Sequence, residues 1–268
     1  DAQESRGLGD VYKRQHLLGV IALSSLCFVL IQGNAYGWSS TPILAAVALC
    51  AATTVLLVRR ERRHAEPIIP RALFQTSQFA AANGVGFLIN LASYGQLFLL
   101  SLFLQHARGA DALQTGIQLV PMLAVFSIGN LISGRVSARW NVSASLLGGI
   151  SLATLMSAVG LAAFSPDIAY WPFAIVVALA NLGVGIAVPA MTSVVMQVSG
   201  KHHANSAAAA LNANRQSGAL VGVALMGTVL HLLPDWNASL PAAYSIIAVA
   251  YLVAAMLVWT HLRRARNA

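Results

Sequence analysis

One arginine, Arg215, lies at the mouth of a long apolar stretch, NANRQSGALVGVALMGTVL, that runs from Asn212 to Leu230. An arginine in the middle of a membrane helix costs about 2.5–3.5 kcal/mol to insert, so it faces protein or water rather than lipid. Gln216 follows it, and Asn212 lies one turn earlier on nearly the same face as Gln216. Two interpretations stay open: an anchor that extends to water, or a charge that acts in a cavity or gate.

A second polar set lies in the stretch NGVGFLINLASY. Asn83, Asn90 and Tyr94 are seven and four residues apart, which places them within about 40° of one another on a helix. A polar stripe on a membrane helix faces protein or water, since an unpaired amide in lipid is costly. The stripe therefore indicates either hydrogen bonds between helices or the lining of a substrate cavity.

Glycines mark two further stretches. Gly218 and Gly222 follow Arg215 with the GxxxG spacing, and Gly183 and Gly185 lie in NLGVGIAVP beside Asn181. Small residues at such spacings let membrane helices approach closely. We predict that these four glycines serve helix packing, with a hinge as the alternative for the second pair.

The sequence contains no HExxH, GxSxG, Walker-type or CxxC motif. Its two cysteines, Cys27 and Cys50, lie in apolar stretches and are predicted to be free packing thiols. We therefore expect neither an enzyme nor a metal site.

The elements that must position these residues are membrane helices. The chain is 57% hydrophobic and 9% charged, whereas a soluble domain carries roughly 25% charged residues. Apolar stretches of about 20 residues recur along the whole length. This predicts an all-α polytopic membrane protein with eight transmembrane helices, at about residues 16–32, 41–58, 78–104, 113–133, 143–164, 170–196, 204–232 and 241–262. Between them we expect loops, GRVSARWN among them.

Basic residues are concentrated in alternate connections, which predicts the orientation. Arg108 is the one basic residue expected on one side of the membrane. The opposite side is expected to carry Arg59, Arg60, Arg62, Arg63, Arg71, Arg135, Arg139, Lys201, Arg263, Arg264 and Arg266. The positive-inside rule places that side and the C-terminus in the cytoplasm. The net charge of +8 is then explained by membrane orientation and by contact with lipid headgroups, which argues against nucleic-acid binding.

The first residues need a separate interpretation. SRGLGDVYKRQ, residues 5–15, matches the translation of a transposon-end adapter used to prepare DNA sequencing libraries. We therefore expect residues 1–15 to be a sequencing artefact, with His16 as the first genuine residue and the gene truncated on its N-terminal side.

Four segments in order, GWSS, RRERRHAEPIIPRALF, LFLQHARGADALQTGIQLVP and NANRQSGALVGVAL, resemble the EmrB/QacA-type drug:proton antiporters. These form the fourteen-span branch of the major facilitator superfamily. The resemblance runs from about residue 16 to 262 and implies two linker helices with a basic loop, 16–77, and the C-terminal six-helix bundle, 78–268. The family pattern RQxGxxxGxA matches Arg215, Gln216, Gly218, Gly222 and Ala224.

The resemblance also implies a mechanism: proton-coupled efflux of small amphipathic molecules by alternating access, with the proton gradient as energy source and no cofactor. Every Asp and Glu after residue 15 lies in a predicted loop, so we expect the proton site in a missing N-terminal six-helix bundle. Arg215 and Gln216 would serve gating or coupling. The substrate-cavity contacts would be Asn83, Phe87, Asn90, Tyr94, Asn181 and Asn212. The other partners would be membrane lipid and a small-molecule substrate. The expected location is a cell membrane, specifically a bacterial inner membrane.

One departure from the family pattern supports a rival interpretation. The superfamily often carries GRxxDR in a cytoplasmic loop, and here GRVSAR has Ala138 at the acidic position. With no acid in any predicted span, a non-transporting eight-span membrane scaffold or sensor subunit is the alternative.

Overall fold

The structure is a computed structural model that describes residues 2–63, 73 and 76–262. Those residues form helices and short connections, with no strand among them. The chain divides into two compact units, Asp1–Pro70 and Arg71–Ala268. The second unit holds all the predicted site residues.

The first unit is a helical hairpin of α1 (Ala2–Tyr36) and α2 (Thr41–Arg63). Its turn depends on Gly37, whose φ of 83° favours glycine. Trp38 folds back over Gly33, where an added Cβ would lie 2.7 Å from the indole ring. Residues 2–15 form the first part of helix α1. The interpretation of residues 1–15 as a sequencing artefact stays a prediction.

The second unit begins with α3 (Ser77–Leu102), which continues as a π-helical turn, Phe103–Ala107. Then follow α4 (Ala112–Trp140) and α5 (Val142–Ala163). The stretch Tyr170–Leu232 contains one break, at Gly200 with φ 68° and ψ 168°, which divides it into α6 (170–199) and α7 (201–232). Helix α8 (Trp236–Leu257) ends in a second π-helical turn, Val258–Leu262.

The helices run alternately up and down, so the bundle has two ends. The connections that carry Arg108, Asp167 and Asp235 lie at one end, called the Arg108 end. The junction of α4 with α5 and the break at Gly200 lie at the other, called the Gly200 end. At that end the Ser143 hydroxyl donates to the Leu262 carbonyl and ties α5 to the end of α8.

Helix boundaries at both ends follow ordinary capping chemistry. Asp111 forms a capping box with Gln114 at the start of α4, and Asp235 accepts from the Asn237 amide at the start of α8. Carboxylates at helix N-termini satisfy free N–H groups and oppose the helix dipole. Asn141 alone separates α4 from α5, in a positive-φ conformation (74°) that asparagine tolerates.

Glycine brings the helices of this unit into backbone contact. An added Cβ at Gly218 or Gly222 of α7 would collide with the carbonyls of Phe87 and Leu91 on α3. Gly183 of α6 meets the Gly149 carbonyl of α5 in the same way, and Gly185 meets the Phe126 carbonyl of α4. All four glycines proposed for packing therefore lie at helix crossings.

The predicted all-α membrane class is confirmed for the described residues, where six helices are long and apolar enough to cross a membrane. The eight-span count stays a prediction. The apolar part of α1 is short, Leu17–Gly33, and α7 is not among the six; its polar segment Asn212–Gln216 lowers its hydropathy. The predicted loop GRVSARWN is wrong, because α4 continues as helix to Trp140.

Gly218→Val in the full-length protein is expected to destabilise the second unit by about 1–3 kcal/mol, since the added carbons meet the backbone of α3. Thermal unfolding in detergent measures the change. Gly148→Val on α5 is the control, because nothing lies within 4 Å of a Cβ there. Equal effects of the two substitutions would contradict the backbone contact.

Candidate functional site

A cavity of about 180 Å³ lies between α3, α4 and α6. Its lining is mostly apolar, with four uncharged polar side chains and no charged one. The lining residues are Ser93, Tyr94, Gln96, Leu97, Leu100, Leu119, Met122, Leu123, Phe126 and Asn181. Apolar walls with a few convergent hydrogen-bonding groups are typical of sites for small organic molecules.

Two tyrosines of α8 form hydrogen bonds with polar side chains of α3. The Gln96 amide donates to the Tyr244 hydroxyl at 3.2 Å, and the hydroxyls of Ser93 and Tyr251 lie 2.9 Å apart. Gln96 is 2% exposed, and both tyrosine side chains are fully buried. A buried polar group costs little when it is hydrogen-bonded, so these contacts explain how uncharged polar side chains persist beside the cavity.

Helix α6 contacts the cavity wall that α4 forms. The contact lies near Pro121, which interrupts the backbone hydrogen bonds of α4. The Asn181 amide donates to the Met122 carbonyl at 3.2 Å. Nearer the Arg108 end, the Tyr170 hydroxyl donates to the Gln118 carbonyl at 2.8 Å. Asn181 therefore both lines the cavity and fixes the spacing of α4 and α6.

Two of the six predicted cavity contacts line this cavity, Tyr94 and Asn181. The other four lie elsewhere in the second unit, on α3 and α7. Asn83 and Asn90 are buried, and their amides donate to the carbonyls one turn earlier on α3, Phe79 and Gly86. Phe87 lies at the crossing of α3 with α7, and Asn212 is exposed on α7.

The sequence did not predict two polar residues of the cavity lining, Ser93 and Gln96, or the tyrosines that bond to them, Tyr244 and Tyr251. A weak signal was available, because Ser93 and Gln96 are three residues apart and the tyrosines seven, so each pair shares a helix face. Nothing in the sequence indicates that the two faces meet.

Arg215 lies outside the cavity. Its side chain passes Gly86 of α3, where an added Cβ would lie 3.3 Å from Arg215 Cγ and 3.2 Å from the Met191 sulfur of α6. Gly86 is nine residues from Ser77, so this contact is about 14 Å from the Gly200 end and about 10 Å from Ser93 along α3. Gln216 is exposed.

At the Arg108 end, the side chain of Arg108 contacts two backbone carbonyls and two phenylalanine rings. Arg108 donates through Nη2 to the Pro166 carbonyl (3.4 Å) and to the Ile168 carbonyl. Its guanidinium carbon lies 5.1 Å from the centre of the Phe103 ring and 5.6 Å from that of Phe173. The sequence reasoning gave Arg108 no role beyond topology.

Two influences act on the charge of Arg108. Burial lowers the pKa of its guanidinium, and the nearby Asp167 carboxylate raises that pKa again. A guanidinium stays protonated throughout the physiological range. Arg108 is therefore a permanent charge that ties the α3–α4 connection to the α5–α6 connection.

Long apolar helices around an uncharged cavity define an all-α membrane protein of the polytopic class. The chain belongs to the Major Facilitator Superfamily, whose family model matches residues 16–223. Its relatives are membrane transporters and not enzymes. Membership of the superfamily is thus confirmed, while the fourteen-span branch stays a prediction.

The relatives include proteins named for drug resistance. The chain is 44% identical over 247 residues to the Methylenomycin A resistance protein of Bacillus subtilis (strain 168), covering 92% of this chain and 53% of that protein. It is 39% identical over 249 residues to the Methylenomycin A resistance protein of Streptomyces coelicolor, covering 93% and 52%. It is 25% identical over 216 residues to the Tetracenomycin C resistance and export protein of Streptomyces glaucescens, covering 79% and 40%. The chain therefore spans about half the length of the relatives it matches most extensively.

Arg108→Ala should lower the stability of the full-length protein by about 1–3 kcal/mol, because two carbonyls and two aromatic faces lose a cation. Arg108→Lys should recover part of the loss, since an ammonium keeps the charge but cannot reach both carbonyls as a fork does. Thermal unfolding in detergent measures both. Arg139→Ala, at an exposed position near the end of α4, should have little effect; an equal loss there would contradict the assignment.

Proposed function

We propose that this chain is the C-terminal part of a proton-coupled efflux transporter for small amphipathic molecules, of the fourteen-span EmrB/QacA type. The cavity between α3, α4 and α6 carries the proposal, since its walls are apolar and its polar groups uncharged. The names of the relatives, which refer to resistance and export, support it.

The lining indicates the substrate chemistry. Six of the ten lining residues are aliphatic, Met or Phe, and the others offer hydroxyl and amide groups. Such walls bind apolar molecules that carry a few hydrogen-bonding groups. At about 180 Å³ the cavity is smaller than the roughly 300–1,000 Å³ of drug-sized sites. We infer that this bundle supplies one wall, and that an N-terminal six-helix bundle outside this chain supplies the other.

Alternating access would then rock this bundle against its partner around a site near the middle of the membrane. The acids of residues 76–262 are Asp111, Asp167 and Asp235, all in connections at the Arg108 end. A proton-carrying carboxylate buried in the membrane would therefore belong to the N-terminal bundle. We place the protein in a bacterial inner membrane with its C-terminus in the cytoplasm, in contact with lipid and with no nucleic-acid partner.

Expression of the full-length gene in a drug-sensitive bacterium should raise resistance to methylenomycin A, or to another antibiotic in a panel that includes tetracenomycin C. Everted membrane vesicles should accumulate the same compound when a proton gradient is imposed, because efflux in the cell becomes uptake in the vesicle. An uncoupler should abolish that uptake. Uptake that is insensitive to the uncoupler would contradict proton coupling, and absence of both resistance and uptake would favour the scaffold alternative.

Leu123→Trp should reduce this resistance about tenfold or more, because the indole fills a cavity of about 180 Å³. Leu131→Trp is the matched control on the same helix, since Leu131 is 78% exposed and does not line the cavity. The minimum inhibitory concentration is measured for cells with equal amounts of each protein in the membrane. Full resistance with Leu123→Trp would exclude this cavity from the transport path.

A further inference from the structure

Arg215 has a fixed position in the second unit. Three helices meet at it: Leu211 and Arg215 of α7, Gly86 of α3 and Met191 of α6. Because Gly86 has no side chain, the arginine stem can pass α3 here; an added Cβ would lie 2.9 Å from Leu211 Cδ1 and 3.3 Å from Arg215 Cγ. The aliphatic stem of Arg215 is therefore held between helices, although the residue as a whole is half-buried.

The Arg215 side chain nevertheless has no polar partner in the part of the chain that the structure describes. Its Nε is buried and has no hydrogen-bond partner among the described residues. Arg108 Nε is likewise buried without a hydrogen-bond partner, but its Nη2 donates to two carbonyls, and its guanidinium lies near two aromatic rings and a carboxylate. Buried charges are normally paired and hydrogen-bonded, since desolvation is otherwise uncompensated.

The carboxylates of residues 76–262 are too far away to pair with Arg215. Asp111, Asp167 and Asp235 lie at the Arg108 end. The span Ser77–Ala107 has 31 residues, about 46 Å of helix, and Arg215 is level with a point about 14 Å from its start. The separation along the bundle is therefore about 30 Å, several times the reach of an ion pair.

We propose that Arg215 is an oxyanion site, and that its ligand is a carboxylate. A guanidinium presents parallel N–H donors that match the two oxygens of a carboxylate, and this pairing is strongest away from water. The carboxylate comes from an amphipathic acid bound by the protein or from an acidic side chain in a part of the protein outside the described residues. The proposal rests on the position of Arg215 in the bundle and not on drug export, so its test uses binding and stability rather than transport.

The experiment compares three forms of the purified full-length protein: wild type, Arg215→Gln, and Arg139→Gln as the matched control at an exposed arginine. Thermal unfolding is followed in a neutral detergent with benzoate, with the uncharged benzamide, and with phosphatidylglycerol. A bound ligand raises the unfolding temperature of the form that binds it, by about 3 °C or more at saturating concentration.

If the carboxylate is a ligand, benzoate stabilises the wild type and Arg139→Gln but not Arg215→Gln, and benzamide has no such selectivity. If the carboxylate belongs to the protein, benzoate stabilises none of the three, and Arg215→Gln alone has a lowered unfolding temperature. Each Asp and Glu of the Arg215→Gln protein is then replaced in turn by Asn or Gln. One of these replacements should restore the unfolding temperature, because it removes the acid that Arg215 had paired with.

Three results would overturn the proposal. The first is an unfolding temperature of Arg215→Gln equal to that of wild type, with no benzoate effect specific to Arg215. The second is a lowered temperature that no acid-to-amide replacement restores, again without a benzoate effect, which would make Arg215 a packing residue. The third is stabilisation of wild type by phosphatidylglycerol but not by benzoate, lost in Arg215→Gln, which would assign a lipid phosphate.

Discussion

The backbone contact of α3 with α7 determines the arrangement of the second unit. Gly218 and Gly222 expose the surface of α7 to the carbonyls of Phe87 and Leu91, and any side chain there would separate the helices. In a membrane such contacts matter more than side-chain hydrophobicity, because lipid is as apolar as leucine and association depends on close packing. The same contact places Arg215 beside Gly86 and turns Ser93 and Gln96 of α3 toward α8 and the cavity.

Charged and uncharged polar groups lie at different positions along the length of this bundle. Carboxylates and Arg108 lie at one end, where they cap helices and join two connections. The cavity has uncharged polar groups, each tied to a neighbouring helix or open to the cavity. Arg215 lies about 10 Å further toward the Gly200 end. An uncharged cavity therefore lies between an end with three carboxylates and one arginine and, further along the bundle, the cation of Arg215.

The sequence predicts the class of protein and two of the residues that line the cavity. Composition and apolar stretches of about 20 residues indicate membrane helices because the bilayer sets their length, and the resemblance indicated the superfamily. Tyr94 and Asn181 were also anticipated as cavity residues. Asn83 and Asn90 show why polarity alone is a weak guide: a short amide can bond to the carbonyl of its own helix one turn earlier.

The unpredicted features of the cavity and of the Arg108 end depend on contacts between distant parts of the chain. Ser93 and Tyr251 are 158 residues apart in sequence, and Arg108 meets Ile168 across 60. Helical periodicity specifies the face on which a residue lies but not the helix that packs against it. The continuation of α4 through GRVSAR to Trp140 was missed for a different reason, since charged residues outside the membrane continue a helix as readily as they form a loop.

Water access to the cavity tests the central claim most directly. Single cysteines replace Leu123 or Ile128 in a full-length protein from which every native cysteine, Cys27 and Cys50 included, has been removed, and membranes are treated with a water-soluble thiosulfonate. Leu123 lines the cavity, whereas Ile128 is 51% exposed on another face of α4. Since the thiolate form is the reactive one and needs water, the account predicts at least about tenfold faster labelling of Leu123→Cys than of Ile128→Cys. Equal rates, or faster labelling of Ile128→Cys, would contradict a water-accessible transport cavity at this place.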